Sequence, residues 1–140
     1  MHLALLPAHR AGTAPSAPAI ADDRASYDNA AFEEVTARAA ATLAARGVGR
    51  GDVVAVLLPN TADLIVTLFA AWRLGAAVTP INPALTADEV RYQVTDAGSA
   101  VLVTDNARDE ELGAPLLLAA DLAAASPHRP RRPRTTISRC

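Results

Sequence analysis

Residues 51–60, Gly51-Asp-Val-Val-Ala-Val-Leu-Leu-Pro-Asn60, decide how this chain folds. Val53 to Leu58 is an unbroken apolar run rich in β-branched side chains. Continuous rather than alternating apolarity suits a strand covered on both faces, the usual condition of a parallel sheet. Pro59 ends the run, and Asn60 or Thr61 can cap a following helix. In that helix Leu64, Ile65, Leu68, Phe69 and Trp72 fall on one broad apolar face, with Trp72 read as core packing. Gly75 supplies its stop, and Ala76 to Thr79 reads as a second short strand.

The pattern continues outward in both directions. Downstream, Thr86-Ala-Asp-Glu89 spells a capping box, in which the hydroxyl and the carboxylate each satisfy an orphan backbone donor. Val90, Val94 and Ala97 make that helix's inner stripe, Gly98 closes it, and Ala100 to Thr104 is a third strand. Strand, helix, strand, helix, strand at this spacing calls for right-handed crossovers and an α/β fold with a parallel sheet and flanking helices. The strands centre near Val54, Val78 and Leu102, and Leu116 to Ala125 offers a further strand and helix. Upstream, Phe32, Val35, Ala39 and Leu43 recur at helical spacing between Asp28 and Arg46. Ser26 or Asp28 can start that helix and Gly47 can end it. Ala19-Ile20-Ala21 reads as a short strand before an Asp22-Asp23 turn.

Three segments follow from this reading. Residues 1–17, rich in Ala, Pro and Ser and without periodicity, are expected to form a loose arm. Residues 18–125 are the α/β segment. Residues 126–140 change character, to Pro-His-Arg-Pro-Arg-Arg-Pro-Arg and then Thr-Thr-Ile-Ser-Arg-Cys. Proline among mutually repelling arginines excludes a stable helix or central strand, so a disordered tail is expected.

Composition narrows the function. The 140 residues suffice for one core and not two, at 51% hydrophobic and 20% charged. A net charge of −2 gives no global attraction to nucleic acid or anionic lipid. The start lacks a basic leader region, and Asp63 and Arg73 interrupt the most apolar window, so neither a signal peptide nor a membrane span is read. The lone Cys140 excludes an internal disulfide and a zinc cage, and fits a reducing cytoplasm. All 13 basic residues are arginine. Schiff-base chemistry and any phosphate loop built on an ammonium group are therefore excluded.

Individual candidates read plainly. Gly47, Gly49 and Gly51 follow a helix and precede a strand, the reverse of a dinucleotide-binding finger, so they are a helix stop and a turn. His2, His9 and His128 have no carboxylate or cysteine at ligand spacing. Asp63 and Glu89 sit in first helical turns, where negative charge is favourable for its own sake. The basic tail lacks interleaved aromatics and any reading element for nucleic acid. Thr135-Thr136 has no accompanying glycine or lysine. No catalytic, cofactor-binding or metal-binding residue is assigned.

Five segments in order, Gly47 to Asn60, Trp72-Arg-Leu-Gly-Ala76, Thr79-Pro-Ile-Asn-Pro83, Thr86 to Gln93 and Val101-Leu-Val-Thr104, resemble the opening of the adenylate-forming, AMP-dependent acyl-CoA synthetases. The resemblance runs from about Pro18 to Asp105 and implies a partial N-terminal subdomain. It implies, for the intact family, an acid–CoA ligase that joins a carboxylic acid to coenzyme A through an acyl-adenylate, with ATP and magnesium. The family's phosphate loop, ribose contact and adenylation lysine come after the matched region, so none is carried over. The chain alone is expected to bind no cofactor and to be inactive. Where a linker toward the phosphate loop belongs, the Pro/Arg tail suggests a frameshift, because in GC-rich DNA a one-base shift turns Ala and Asp codons into Pro and Arg codons. A stand-alone interaction module and a nucleic-acid binder acting through the tail are the competing readings. A truncated segment should also expose apolar helix faces and a strand edge, and so self-associate.

Overall fold

The structure is a computed structural model and describes residues 2–106 and 111–123. The tail, with His128, Thr135 and Thr136, lies outside the described residues. The sheet that residues 51–60 foreshadow has four strands, all parallel, in the order β4-β3-β5-β6. They are β3 (Val53–Leu57), β4 (Ala77–Pro80), β5 (Val101–Thr104) and β6 (Leu116–Leu118). Three have the expected centres, and β6, at the start of the further strand that Leu116 to Ala125 offered, is the fourth, paired Leu102 to Leu116 through Thr104 to Leu118.

Side chains alternate across this sheet and feed two cores. Val54, Val56, Val101, Val103 and Leu117 face α2 (Asn29–Ala45) and α3 (Ala62–Arg73), meeting Ala39, Leu43, Val66 and Ala70. Ala55, Leu57 and Leu102 face the other way, toward Val90 and Val94 of α4 (Ala87–Asp96) and Leu112. Helices therefore cover both faces, which is why β3 tolerates no polar residue.

The helix ends follow their sequence signals. Asp28 Oδ1 accepts from the Ala31 amide at 2.8 Å, and Gly47, at φ 86°, ends α2 in the left-handed region. Thr86 Oγ1 accepts from the Glu89 amide at 3.3 Å, the hydroxyl half of the capping box. Gly75, at φ 77°, also lies 3.4 Å from Arg50 where a Cβ would stand, so both its conformation and its space favour glycine.

Two expectations are corrected. The N-terminal arm is not loose: a 3-10 turn, Leu3–Leu5, leads into α1 (Leu6–Thr13), which packs on α2 and buries Pro7. Pro7 sits in the first turn, where its missing donor costs nothing. The end of α1 is tied down by Asn29, whose Nδ2 donates to the Ala14 carbonyl at 2.8 Å. Such a helix owes its stability to packing rather than to its own sequence, so periodicity does not announce it.

The second correction concerns α3. Its fully buried positions are Ala62, Val66, Thr67, Ala70 and Ala71, whereas Leu64, Ile65, Leu68, Phe69 and Trp72 are half-buried. The helix packs against both α2 and the sheet, and small side chains allow that close approach. The larger residues flank this contact. Phe69 sits edge-on to Phe32 at 5.8 Å and to Trp72 at 5.4 Å, extending a row that begins at Tyr27. Arg73 closes the α2–α3 contact with a bidentate pair to Glu33 at 2.8 and 2.6 Å.

Before α2, β1 (Pro18–Ala21) and β2 (Ser26–Asp28) form an antiparallel hairpin. Among the described residues no helix is long and apolar enough to cross a membrane.

Leu43 is fully buried between α2, α3 and the sheet. Replacing it with alanine removes apolar contacts and leaves a cavity, so Leu43→Ala is expected to cost about 2–5 kcal/mol. Urea unfolding monitored by circular dichroism checks this: the midpoint should fall with the slope unchanged.

Candidate functional site

Strand order directs attention to one place. After β3 the chain crosses to β4 on one side, then returns past β3 to β5 on the other, so the sequence of strands reverses between β3 and β5. In open α/β sheets ligands bind in the crevice outside the carboxyl ends of strands at such a reversal. A crevice of about 290 Å³ lies there, formed by Leu58 to Asp63 after β3, Asp105 after β5, and Asp22 to Ala25 at the hairpin tip.

Asp22 organises it. Its Oδ1 accepts from the amides of Arg24 and Ala25 at 2.8 Å each, which shapes the hairpin turn. Its Oδ2 accepts from the amide of Ala62, the first residue of α3, at 2.7 Å. The expected cap from Asn60 or Thr61 is thus replaced. Thr61 occupies the cap position without a side-chain cap bond, and a carboxylate 40 residues earlier takes the amide instead. The amides of Ala62, then Arg24 and Ala25, hold the Asp22 carboxyl below its ordinary range.

Asp63 goes the other way. Burial first, then the charge of Asp22, raises its pKa, with Arg24 opposing. Tyr27 is raised by burial and by Asp63 and Asp22. Sequence reasoning placed Asp63 at a helix start and did not connect it with Asp22 or Tyr27. The available signal was the paired Asp22-Asp23 between two short strands, a turn whose side-chain oxygens have amides within reach.

The other candidates lie elsewhere. Gly47, Gly49 and Gly51 stand at the amino end of β3, where the Gly49 amide donates to Asp52 Oδ2 at 2.8 Å. Asp88, in the first turn of α4, pairs with Arg91 at 2.8 Å. His2 and His9 are exposed on the N-terminal segment, and Trp72 is half-buried. Among the described residues no group of three or more His, Cys, Asp or Glu is placed to hold a metal ion.

Four aspartates, Asp22, Asp23, Asp63 and Asp105, line the crevice against one Arg24. The helix amide that would meet a phosphate is taken by Asp22.

A family profile described as AMP-binding enzyme matches residues 7–137, and the chain belongs to this family. 4-Coumarate–CoA ligase 3 of Oryza sativa is 46% identical over 80 residues, covering 57% of this chain and 14% of that protein. Long-chain-fatty-acid–CoA ligase FadD13 of Mycobacterium tuberculosis is 41% identical over 66 residues, 47% of this chain and 13% of its own length. O-succinylbenzoate coenzyme A synthetase (MenE) of Bacillus subtilis, solved with AMP, superposes with a TM-score of 0.77 at 26% identity. That superposition covers 87% of this chain and 33% of MenE. The α/β fold is that of the N-terminal part of the adenylate-forming enzymes, a family dependent on ATP and magnesium. The chain thus spans a small fraction of these relatives.

The two shifted carboxyls predict opposing acid responses. The folded-state pKa of Asp22 is lowered, so its contribution is present above the unfolded value and lost as pH falls through the folded one. The folded-state pKa of Asp63 is raised, so the fold binds its proton more readily and gains stability as pH falls toward the unfolded value. Asp22→Asn should therefore lower the unfolding midpoint at pH 7 and flatten its acid dependence. Asp63→Asn should steepen the acid loss relative to wild type. Urea midpoints between pH 6 and pH 3 would check both; an Asp63→Asn profile parallel to wild type would contradict the assignment.

Proposed function

We propose that this chain is a structural N-terminal segment of an acid–CoA ligase and that, alone, it does not form acyl-adenylates. The family match over residues 7–137, with relatives named as CoA ligases, carries the first half of this reading. The reaction of the intact protein is then ATP-dependent adenylation of a carboxylic acid, followed by thioester formation with coenzyme A in the cytoplasm. Fatty and aryl acids are the substrate classes to test first, from the names of the relatives.

Local chemistry supports the second half. Adenylation needs donors and a cation held where negative charge develops on the phosphates, and such preorganised groups supply much of the rate. The crevice at the strand reversal presents the opposite charge, and the sequence contains no lysine to stand against a phosphate. What this segment contributes is the β3–β5 platform and its crevice, against which the nucleotide-binding elements of a longer chain would assemble.

Acid-dependent pyrophosphate release by the purified 140-residue chain tests the proposal. With fatty, aromatic and short-chain acids at saturating ATP and magnesium, release should match a heat-killed control. Turnover clearly above that control would overturn the reading.

A further inference from the structure

A groove of about 450 Å³ lies among α1, β1, α2 and α3 and shares no lining residue with the crevice. The volume falls within the range of small-molecule sites, about 300–1,000 Å³. Leu6 and Pro7 of α1, Ile20 of β1, Phe32 of α2, and Ile65 and Phe69 of α3 make its walls. Of the lining residues only Arg10 carries a charge. Its guanidinium is exposed and has no ion pair or hydrogen bond among the described residues. Asn29, 5% exposed, lines the groove as well. One hydrogen of its Nδ2 goes to the Ala14 carbonyl, and the amide's second hydrogen is unspent. Asp28, one residue earlier, is exposed, bonded to the Ala31 amide, and does not line the groove.

Apolar walls with one free cation and one spare amide donor complement a particular ligand shape. We propose that this groove binds a single-chain carboxylate amphiphile, an alkanoate whose hydrocarbon lies along Leu6, Phe32, Ile65 and Phe69 and whose carboxylate meets Arg10. Arginine suits that head group because its fork of donors matches the two carboxylate oxygens. The assignment is independent of ligase activity: the groove shares no lining residue with the crevice at the strand reversal, and binding there involves no covalent step.

Trp72 gives the readout, since it is the single tryptophan of the chain and its ring lies 5.4 Å from that of Phe69. The full chain is titrated with laurate below its micelle concentration, with lauryl alcohol, and with phosphatidylglycerol vesicles, following Trp72 emission. Laurate should give a saturable change. Arg10→Gln, an exposed substitution that leaves the core intact, should weaken laurate about tenfold, the equivalent of about 1.4 kcal/mol, and leave lauryl alcohol unaffected. Ile65→Trp, which fills the groove, should abolish both signals in a chain whose helical circular dichroism is retained, with laurate then followed by calorimetry. No saturable laurate binding, or laurate binding indifferent to Arg10→Gln, would overturn the proposal. Response to the vesicles alone would also overturn it, by assigning the surface to a membrane. Because no turnover is measured, this result and the pyrophosphate assay succeed or fail separately.

Discussion

The pairing of β3 on both of its edges, while both of its faces are covered, is the constraint from which the remaining arrangement follows. Val54 to Leu57 are at most 2% exposed, so the backbone donors and acceptors of this strand are removed from water and need partners. β4 and β5 supply them from opposite sides. The side chains need cover as well, and they receive it from α2 and α3 on one face and α4 on the other. A strand with those demands has to be central, and its centrality forces the chain to cross back over it. The reversal of strand order, and with it the crevice at the carboxyl ends of β3 and β5, is a by-product of burying one apolar pentapeptide.

What could be read from residues alone was whatever is local. The β3 run, the Asp28 and Thr86 caps and the Gly47, Gly75 and Gly98 stops depend on neighbours a few positions away, and the structure repeats them. What escaped depends on partners far along the chain. α1 has no stripe of its own and is held by Asn29 and the face of α2. The inner face of α3 was read as its large residues, yet a helix packed closely against both α2 and the sheet buries its small ones, Ala70 and Ala71, and leaves Phe69 and Trp72 at the flank. Hydrophobicity locates an amphipathic face; it does not say which side of that face lies nearest the sheet.

The crevice shows the same division. Its position follows from topology, and its wall residues Leu58 to Asn60 belong to the stretch that announces the fold. Its electrostatics were not legible, because they come from Asp22 reaching across 40 residues to the Ala62 amide. One carboxylate thereby shapes the hairpin turn, caps the start of α3 and lifts the pKa of a second carboxylate. At the start of α3 the Ala62 amide is already engaged by the Asp22 carboxylate.

Pro80 bears on how this sheet meets other chains. It stands in β4 opposite Val56, while the amides of Ala77 and Ile81 point inward to β3, bonding the carbonyls of Asp52 and Val56 at 2.8 Å each. By alternation the position of Pro80 is one whose donor would point outward, and proline has none. At the opposite rim, among the described residues, the Leu116 carbonyl of β6 already receives Arg46 Nη1 at 3.3 Å. The two rims of the sheet therefore differ. An added strand would find a missing rung beside Pro80, whereas beside β6, among the described residues, it would meet the Arg46 guanidinium on the Leu116 carbonyl.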